Sequence, residues 1–585
     1  MNTQPVPALG IPRAIGAVFD RQSRRLDAAT RATLDLAAVL GRRLTDLALY
    51  AAVDLTPSQA GEALSRLKDE CLLREVRGDL EFRNELIRAQ AYYAVAGPVR
   101  QHLHRRVGEV LEKRAGVDDK TISLEIAWHL LRGGQSTRAI PFALGGADAS
   151  LAVGAPHEAE DILKAVTGPD LDASISRRIR LLLAKALLDQ SKADEALPVV
   201  ELLNADVELL LPERAEVARM RASAEFSLNR EPGESYCELA KQALTIAEET
   251  GQPYLVTRAL FECARAGTEA GLTELVLAAQ AGLEELGEVS DINASLMSNL
   301  TRGFCNLFLC EAAEALSSLR EAARLSAAGR ANAALQSFIY SGMGIALYYL
   351  CRLAEAREVY FRGLDLARRI GDDARASVIA ANICIVEGSL GDYEESIRYG
   401  EMSVAWTALS AHSNPVLAIN HLNLVDAYVL AGRLDKAFEC IETTESLFGP
   451  RPRWRIRCAV ATERAALALA QGNLTLALNL IEDVEELARG REDAFPLPGS
   501  IWKLRLFRAA HLGSAHEALT SAQRVGAVLR AKCPFYYLDV LAVKAWLERR
   551  VFGRQTEGTD AELTVFQTLQ VPGKRALLVA QGFLT

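Results

Sequence analysis

The stretch Leu350-Cys351-Arg352-Leu353-Ala354-Glu355-Ala356 decides the fold, because it recurs. A small residue or Gly, one or two polar residues, an apolar residue and then acidic-x-Ala return, with variations, at four later places. These are Leu390-Gly391-Asp392-Tyr393-Glu394-Glu395-Ser396, Ala431-Gly432-Arg433-Leu434-Asp435-Lys436-Ala437, Gln471-Gly472-Asn473-Leu474-Thr475-Leu476-Ala477 and Leu512-Gly513-Ser514-Ala515-His516-Glu517-Ala518. The closing residues step by 40 or 41. Upstream, Ala315, Leu275, Ser235, Ala196 and Ala159 extend the series at intervals of 37 to 41 residues. A period held over so many copies marks a solenoid, in which each unit buries its apolar face against its neighbours.

Each unit reads as two helices joined at a hinge. Across 353–370, Ala356, Val359, Tyr360, Gly363, Ala367 and Ile370 fall at helical spacing on one stripe. Gly371 suits the position after the helix, where a left-handed conformation is cheap only for Gly, and Asp372 or Asp373 can cap the next helix. Asn414-Pro415 is a second start signal. Before the hinges, Gly344 and Ala346, and then Ala427, are small enough for helices to approach closely.

This pairing resembles the tetratricopeptide repeat, whose N-L-G-x-A pattern is echoed by Asn423-Leu424-Val425-Asp426-Ala427 ahead of Gly432 and Ala437. A unit of about 40 residues, against about 34 in that repeat, is similar to the longer repeats of MalT-type bacterial regulators. The resemblance implies an all-α fold, a right-handed tetratricopeptide-like superhelix of helical hairpins. In such repeats one column of the first helix faces the concave groove. Counting back from each hinge puts Thr301, Gly342, Asn382, Asn423 and Glu463 in that column, with Asp426 one turn further on. The column is expected to contact a peptide, a protein or a small-molecule inducer. The alternative is a hydrogen bond between solvated Asn side chains of adjacent repeats.

The first 150 residues are punctuated differently. Helices are expected over 28–40 and 45–53, and a third begins at the cap and proline Thr56-Pro57. Leu72–Val76, the turn Arg77-Gly78-Asp79 and Leu80–Arg83 read as a β-hairpin, followed by helices over 84–95 and 99–115. Three helices and a two-stranded wing give the winged-helix order. Leu26–Arg31, Leu36–Arg42, Leu72-Leu73-Arg74, Phe82–Arg88, Leu103–Val107 and Ile126–Leu131 resemble, in order, segments of STAND-type signalling ATPases. In that family the winged helix lies between an NTPase domain and a repeat sensor. No GxxxxGK[ST] occurs here, so no phosphate-binding loop is available and no nucleotide cofactor is expected. Asn84 occupies a position where the family commonly has a His thought to reach the nucleotide phosphates. It is a degenerate nucleotide-sensor position, or simply a helix cap.

Other chemistries find little support. Of the 585 residues, 50% are hydrophobic and 6% aromatic, and 66 basic against 75 acidic side chains give a net charge of −9. Residues 1–150 carry 21 basic and 18 acidic groups, without the concentrated positive field that non-specific DNA binding requires. The helix after Thr56 would be the recognition helix, yet it offers only Arg66 and Lys68 against Glu62, Asp69 and Glu70, so nucleic acid is not an expected partner. The ten cysteines are scattered singly and read as small buried hydrophobes. No HExxH, nucleophile elbow or metal-ligand spacing is visible, so no catalytic or metal residues are expected. Arg451, Arg453, Trp454, Arg455 and Arg457 form one basic-aromatic cluster, a candidate grip for an anionic ligand or else a solvated helix start. With neither a signal peptide nor an 18-residue apolar run, the chain reads as cytoplasmic, with no membrane partner.

The expected layout is an N-terminus over 1–12, a winged-helix adaptor over 13–116, connecting helices over 117–153, repeats over 154–550 and a cap or tail over 551–585. The expected function is a non-catalytic protein-interaction or ligand-sensing half of a signalling or transcription-regulatory system. An NTPase or effector would act in trans. The alternatives are a DNA-binding regulator using the winged helix, or a stand-alone repeat scaffold from a split or truncated gene.

Overall fold

The structure is a computed structural model. It describes residues 13–115, 122–168, 171–190, 192–228, 233–328, 333–409, 414–447, 454–489, 499–553, 559 and 562–584. The chain divides into two compact units, residues 1–186 and 187–585, so the expected boundaries at 116 and 153 both fall inside the first.

The first unit opens with α1 (Arg13–Ser23) and α2 (Ala28–Leu40), the latter capped by Asp27, whose carboxylate accepts the Thr30 N–H at 2.8 Å. The expected helix over 45–53 is instead a 3-10 helix, Leu47–Val53. It is closed at its far end by Asp54 at φ +59°. Thr56 and Gln59 form a capping box at the start of α3 (Pro57–Asp69), with Pro57 as its first residue. β1 (Leu73–Val76) and β2 (Asp79–Phe82) pair antiparallel, Leu73 opposite Phe82 and Val76 opposite Asp79. Asp79 therefore belongs to the strand, and Arg77 and Gly78 alone make the turn, both at positive φ. Next come α4 (Glu85–Ala94), α5 (Gly97–Arg114), α6 (Ser123–Arg132), α7 (Ser136–Val153), α8 (Pro156–Val166) and α9 (Ala173–Asp189). Leu34, Leu49, Tyr50, Leu67, Leu72 and Val107 lie at the centre of this unit's core.

After α10 (Ala193–Asn204) the second unit is an array of antiparallel helical hairpins. They are α11 (Leu211–Leu228) with α12 (Gly233–Glu249), α13 (Pro253–Ala270) with α14 (Thr273–Leu286), α15 (Ile292–Phe308) with α16 (Ala312–Ala328) and α17 (Ala333–Tyr349) with α18 (Leu353–Arg369). The series continues with α19 (Asp373–Leu390) and α20 (Tyr393–Leu409), α21 (Asn414–Leu430) and α22 (Leu434–Leu447), α23 (Trp454–Ala470) and α24 (Leu474–Ala488), and α25 (Gly499–His511) and α26 (Ala515–Lys532). The chain closes with α27 (Pro534–Trp546), the short α28 (Val565–Thr568) and α29 (Pro572–Ala580). Among the described residues no helix is long and apolar enough to cross a membrane.

The hinges behave as their sequences require. Gly271, Gly391, Gly432, Gly472 and Gly513 all take positive φ, and Asp372 caps α19 by accepting the Arg375 N–H at 2.9 Å. Cys310 and Cys351 stand where the other hinges have Gly, at φ +53° and +57°. On α18 the buried stripe is Leu353, Ala356, Tyr360, Gly363, Leu364 and Ala367, with Val359 and Ile370 at its margin.

From α11 to α27 the first helix of each hairpin touches the first helix of the next, forming a continuous row. The second helices pack mainly against the first helices on either side, so the array curves with the first-helix row inside. The curvature is tight enough that α13 meets α23 and α17 meets α27. Lys532 pairs with Glu311, and the Tyr536 and Tyr349 hydroxyls lie 3.4 Å apart. Contacts therefore reach beyond the next repeat, which a nearest-neighbour solenoid does not predict.

Candidate functional site

Each of the last four helices of the inner row contributes one charged residue: Asp426 from α21, Glu463 from α23, Lys503 from α25 and Asp539 from α27. A fifth, Lys574, comes from α29, which packs against α19 and α21. Lys574 Nζ lies 2.8 Å from Asp539 Oδ2, and Lys503 Nζ lies 3.4 Å from Asp539 Oδ1 while also donating to Gln581. The Lys574 ammonium stands 4.5 Å from the Phe535 ring centre, and that of Lys503 stands 5.3 Å from the Phe583 ring.

Asp539 is 0% exposed, Lys503 2% and Lys574 8%, so these charges have exchanged water for one another. Burial drives the Asp426 and Glu463 carboxyls above their ordinary pKa values, opposed by the charges of Lys574 and Lys503. Burial likewise lowers the Lys503 pKa, opposed by Asp539. The arrangement holds the chain's own Lys574 and Lys503 ammonium groups in a dry acidic setting. It presents no nucleophile paired with a base, and among the described residues no group of three His, Cys, Asp or Glu could hold a metal ion.

Two of the six expected groove residues, Asp426 and Glu463, belong to this cluster. Asn382 and Asn423 occupy equivalent places on adjacent first helices and are partly buried, and the Asn423 carbonyl lies 3.5 Å from Cys384 Sγ. Thr301 is fully buried, and its hydroxyl donates to the Met297 carbonyl at 2.7 Å, so it is not offered to a ligand. Arg451 and Arg453 lie outside the described residues, Trp454 and Arg455 start α23, and Arg457 is exposed. Asn84 caps α4, its side-chain oxygen accepting the Ile87 N–H at 2.8 Å.

Lys503, Asp539 and Lys574 were not singled out from sequence. The available signal was a lone charge inside an apolar helical run, as in Ile501-Trp502-Lys503-Leu504 and Tyr537-Leu538-Asp539-Val540-Leu541. Two other features stand outside the cluster. A cleft of about 280 Å³ opens between α20, α21 and α22, lined in part by Glu401, His421, Tyr428, Lys436 and Glu439. In the first unit, His104 Nδ1 lies 3.0 Å from His129 Nδ1, and Tyr92 Oη lies 3.0 Å from His104 Nε2. Burial pushes these two imidazoles down to about 2 and about 3.

No protein-family model matches the chain, and no curated protein matches it. Solved structures do. A Rap protein complexed with competence and sporulation factor aligns at TM-score 0.45 and 11% identity, over 61% of this chain and 99% of that one. NprR in complex with its cognate peptide NprX aligns at 0.44 and 16%, over 65% and 98%. A STAND protein with a tetratricopeptide repeat sensor from Pyrococcus horikoshii aligns at 0.36 and 15%, over 74% and 67%. At these scores the likeness does not extend to ligand or partner.

Proposed function

We propose that this chain is a non-catalytic, cytoplasmic protein- or peptide-binding sensor of a bacterial-type signalling or transcription-regulatory system, working with an NTPase or effector in trans. The observation that carries this reading is the charged inner face of α21 to α27, whose side chains engage a helix instead of one another alone. The order of helical segments, hairpin and helix over 28–94 supports a winged-helix adaptor. DNA recognition by α3 is disfavoured, because its two cations are already paired, Arg66 with Asp27 and Lys68 with Glu75.

The test is fluorescence polarisation of the full chain with labelled 15-residue helical peptides that differ only in a central Lys, Glu or Leu. The Lys peptide should bind at least tenfold tighter than the Glu peptide, and Asp426→Asn with Glu463→Gln should abolish the preference. Measurable binding that is equal for all three, or saturable binding of duplex DNA or ATP, would overturn the proposal.

A further inference from the structure

Without the last helix the acids on the inner face outnumber the cations by two. Asp426, Glu463 and Asp539 stand against Lys503 alone until Lys574 arrives on α29. The raised Asp426 and Glu463 pKa values have burial as their first cause, so opening this face to water would return both acids toward their ionised forms. An open site of three carboxylates and one ammonium selects a cation.

The seat is also shaped for a helix. A Cβ on Gly573 would lie 1.7 Å from the Gly388 carbonyl oxygen, so only Gly permits α29 to approach α19 this closely. Leu577 and Leu578 are buried on the docked side, and the Phe583 ring lies 5.3 Å from that of Phe507. Pro572, Arg575, Val579 and Ala580 are exposed, so α29 engages by one face. Its nine residues are too few to hold a helix in isolation. The helices of the inner row touch one another directly from α19 to α27, so α29 can leave while each hairpin keeps its neighbours.

We propose that this face is a receptor for a lysine-bearing helix, with residues 565–584 as its resident occupant. A partner protein's helix with the pattern Gly573-Lys574 followed by Leu577-Leu578 displaces them. The Gly admits the approach to Gly388, the Lys reaches Asp539, and the leucines fill the apolar flank. This rests on the peptide-binding reading above and names its ligand chemistry.

The experiment uses the full chain, a labelled peptide of residues 565–584 and the same peptide carrying Lys574→Glu. Gly573→Leu in the chain unseats α29 without altering a groove residue, and hydrogen exchange over 572–580 reports the unseating. Lys574→Glu in the chain is the second unseating variant. With α29 released, the Lys peptide should bind at least tenfold tighter than to the unaltered chain, and the Glu peptide should not. Unchanged affinity despite fast exchange overturns the competition. So does retained protection of α29 in both variants, or a circular dichroism loss showing that its release melts the array. A concentration-dependent dimer that protects α29 would make a second copy the occupant and overturn the assignment to a partner. If α29 is free and the array intact yet no peptide binds, the peptide-binding reading itself fails. Equal binding by both chains removes only the resident competitor.

Discussion

At the scale of single residues, Asn84 holds the start of α4 with its own side chain, whose oxygen accepts the Ile87 N–H as a helix cap. Asn84→Ala should therefore lower the unfolding free energy by about 1 kcal/mol, while Asn84→Asp, which keeps the acceptor and suits the helix dipole, should be neutral or better. Denaturant midpoints at pH 7.5 check both, and an unchanged midpoint for the Ala variant would remove the cap from the account. Asp426 and Glu463 were found by counting back from the hinges, because the repeat sets their register. Lys574 was out of reach of that counting, since α29 follows the repeats and its partner Asp539 is 35 residues away.

At the scale of elements, the hinges could be read directly, because a positive φ leaves few residue choices and Gly is the commonest. Cys310 and Cys351 broke the pattern: an L-residue in the left-handed region costs roughly 1–2 kcal/mol, which the surrounding packing offsets. Interior glycines divide by what surrounds them. In α3, a Cβ on Gly61 would meet nothing within 4 Å; in α17, one on Gly344 would fall 2.4 Å from the Tyr360 ring. Gly61→Ala should stabilise by about 0.5–1 kcal/mol through helix propensity. Gly344→Ala should destabilise by about 1–3 kcal/mol, because overpacking exceeds that gain. Urea titration of the two variants tests the contrast, and a stabilised Gly344→Ala chain would refute the close packing. From sequence both are merely Gly in a helix. Gly344 was picked out only through its place before a hinge.

At the scale of the whole molecule, the helical class followed from the period, whereas the curvature that brings α17 against α27 did not. Curvature is set by small rotations between hairpins, which no local pattern encodes. The two units should answer acid with opposite signs. His104 and His129 are held neutral by burial, while in the unfolded chain they take up protons near pH 6.5. Between pH 6.5 and about 3 the unfolded state binds more protons, so the first unit loses on the order of 1 kcal/mol per pH unit per histidine. Asp426 and Glu463 are raised, so there the folded state binds more protons as the pH falls toward about 4, and the second unit gains stability. Hydrogen exchange resolved by unit at pH 7 and pH 5 should show protection falling in the first and rising in the second. Asp426→Asn with Glu463→Gln should flatten the second response, and parallel loss in both units would contradict it.

A tethered segment does not dilute. Whatever the concentration of the protein, α29 faces its seat at an effective concentration on the order of millimolar for a short connection. An incoming helix of equal intrinsic affinity, present at micromolar levels, would then occupy the seat in only about one molecule in a thousand. The seat of α29 thus works as a threshold. Weak and abundant cationic helices are rejected by arithmetic alone, and a response begins only when a ligand binds far more tightly than α29 itself.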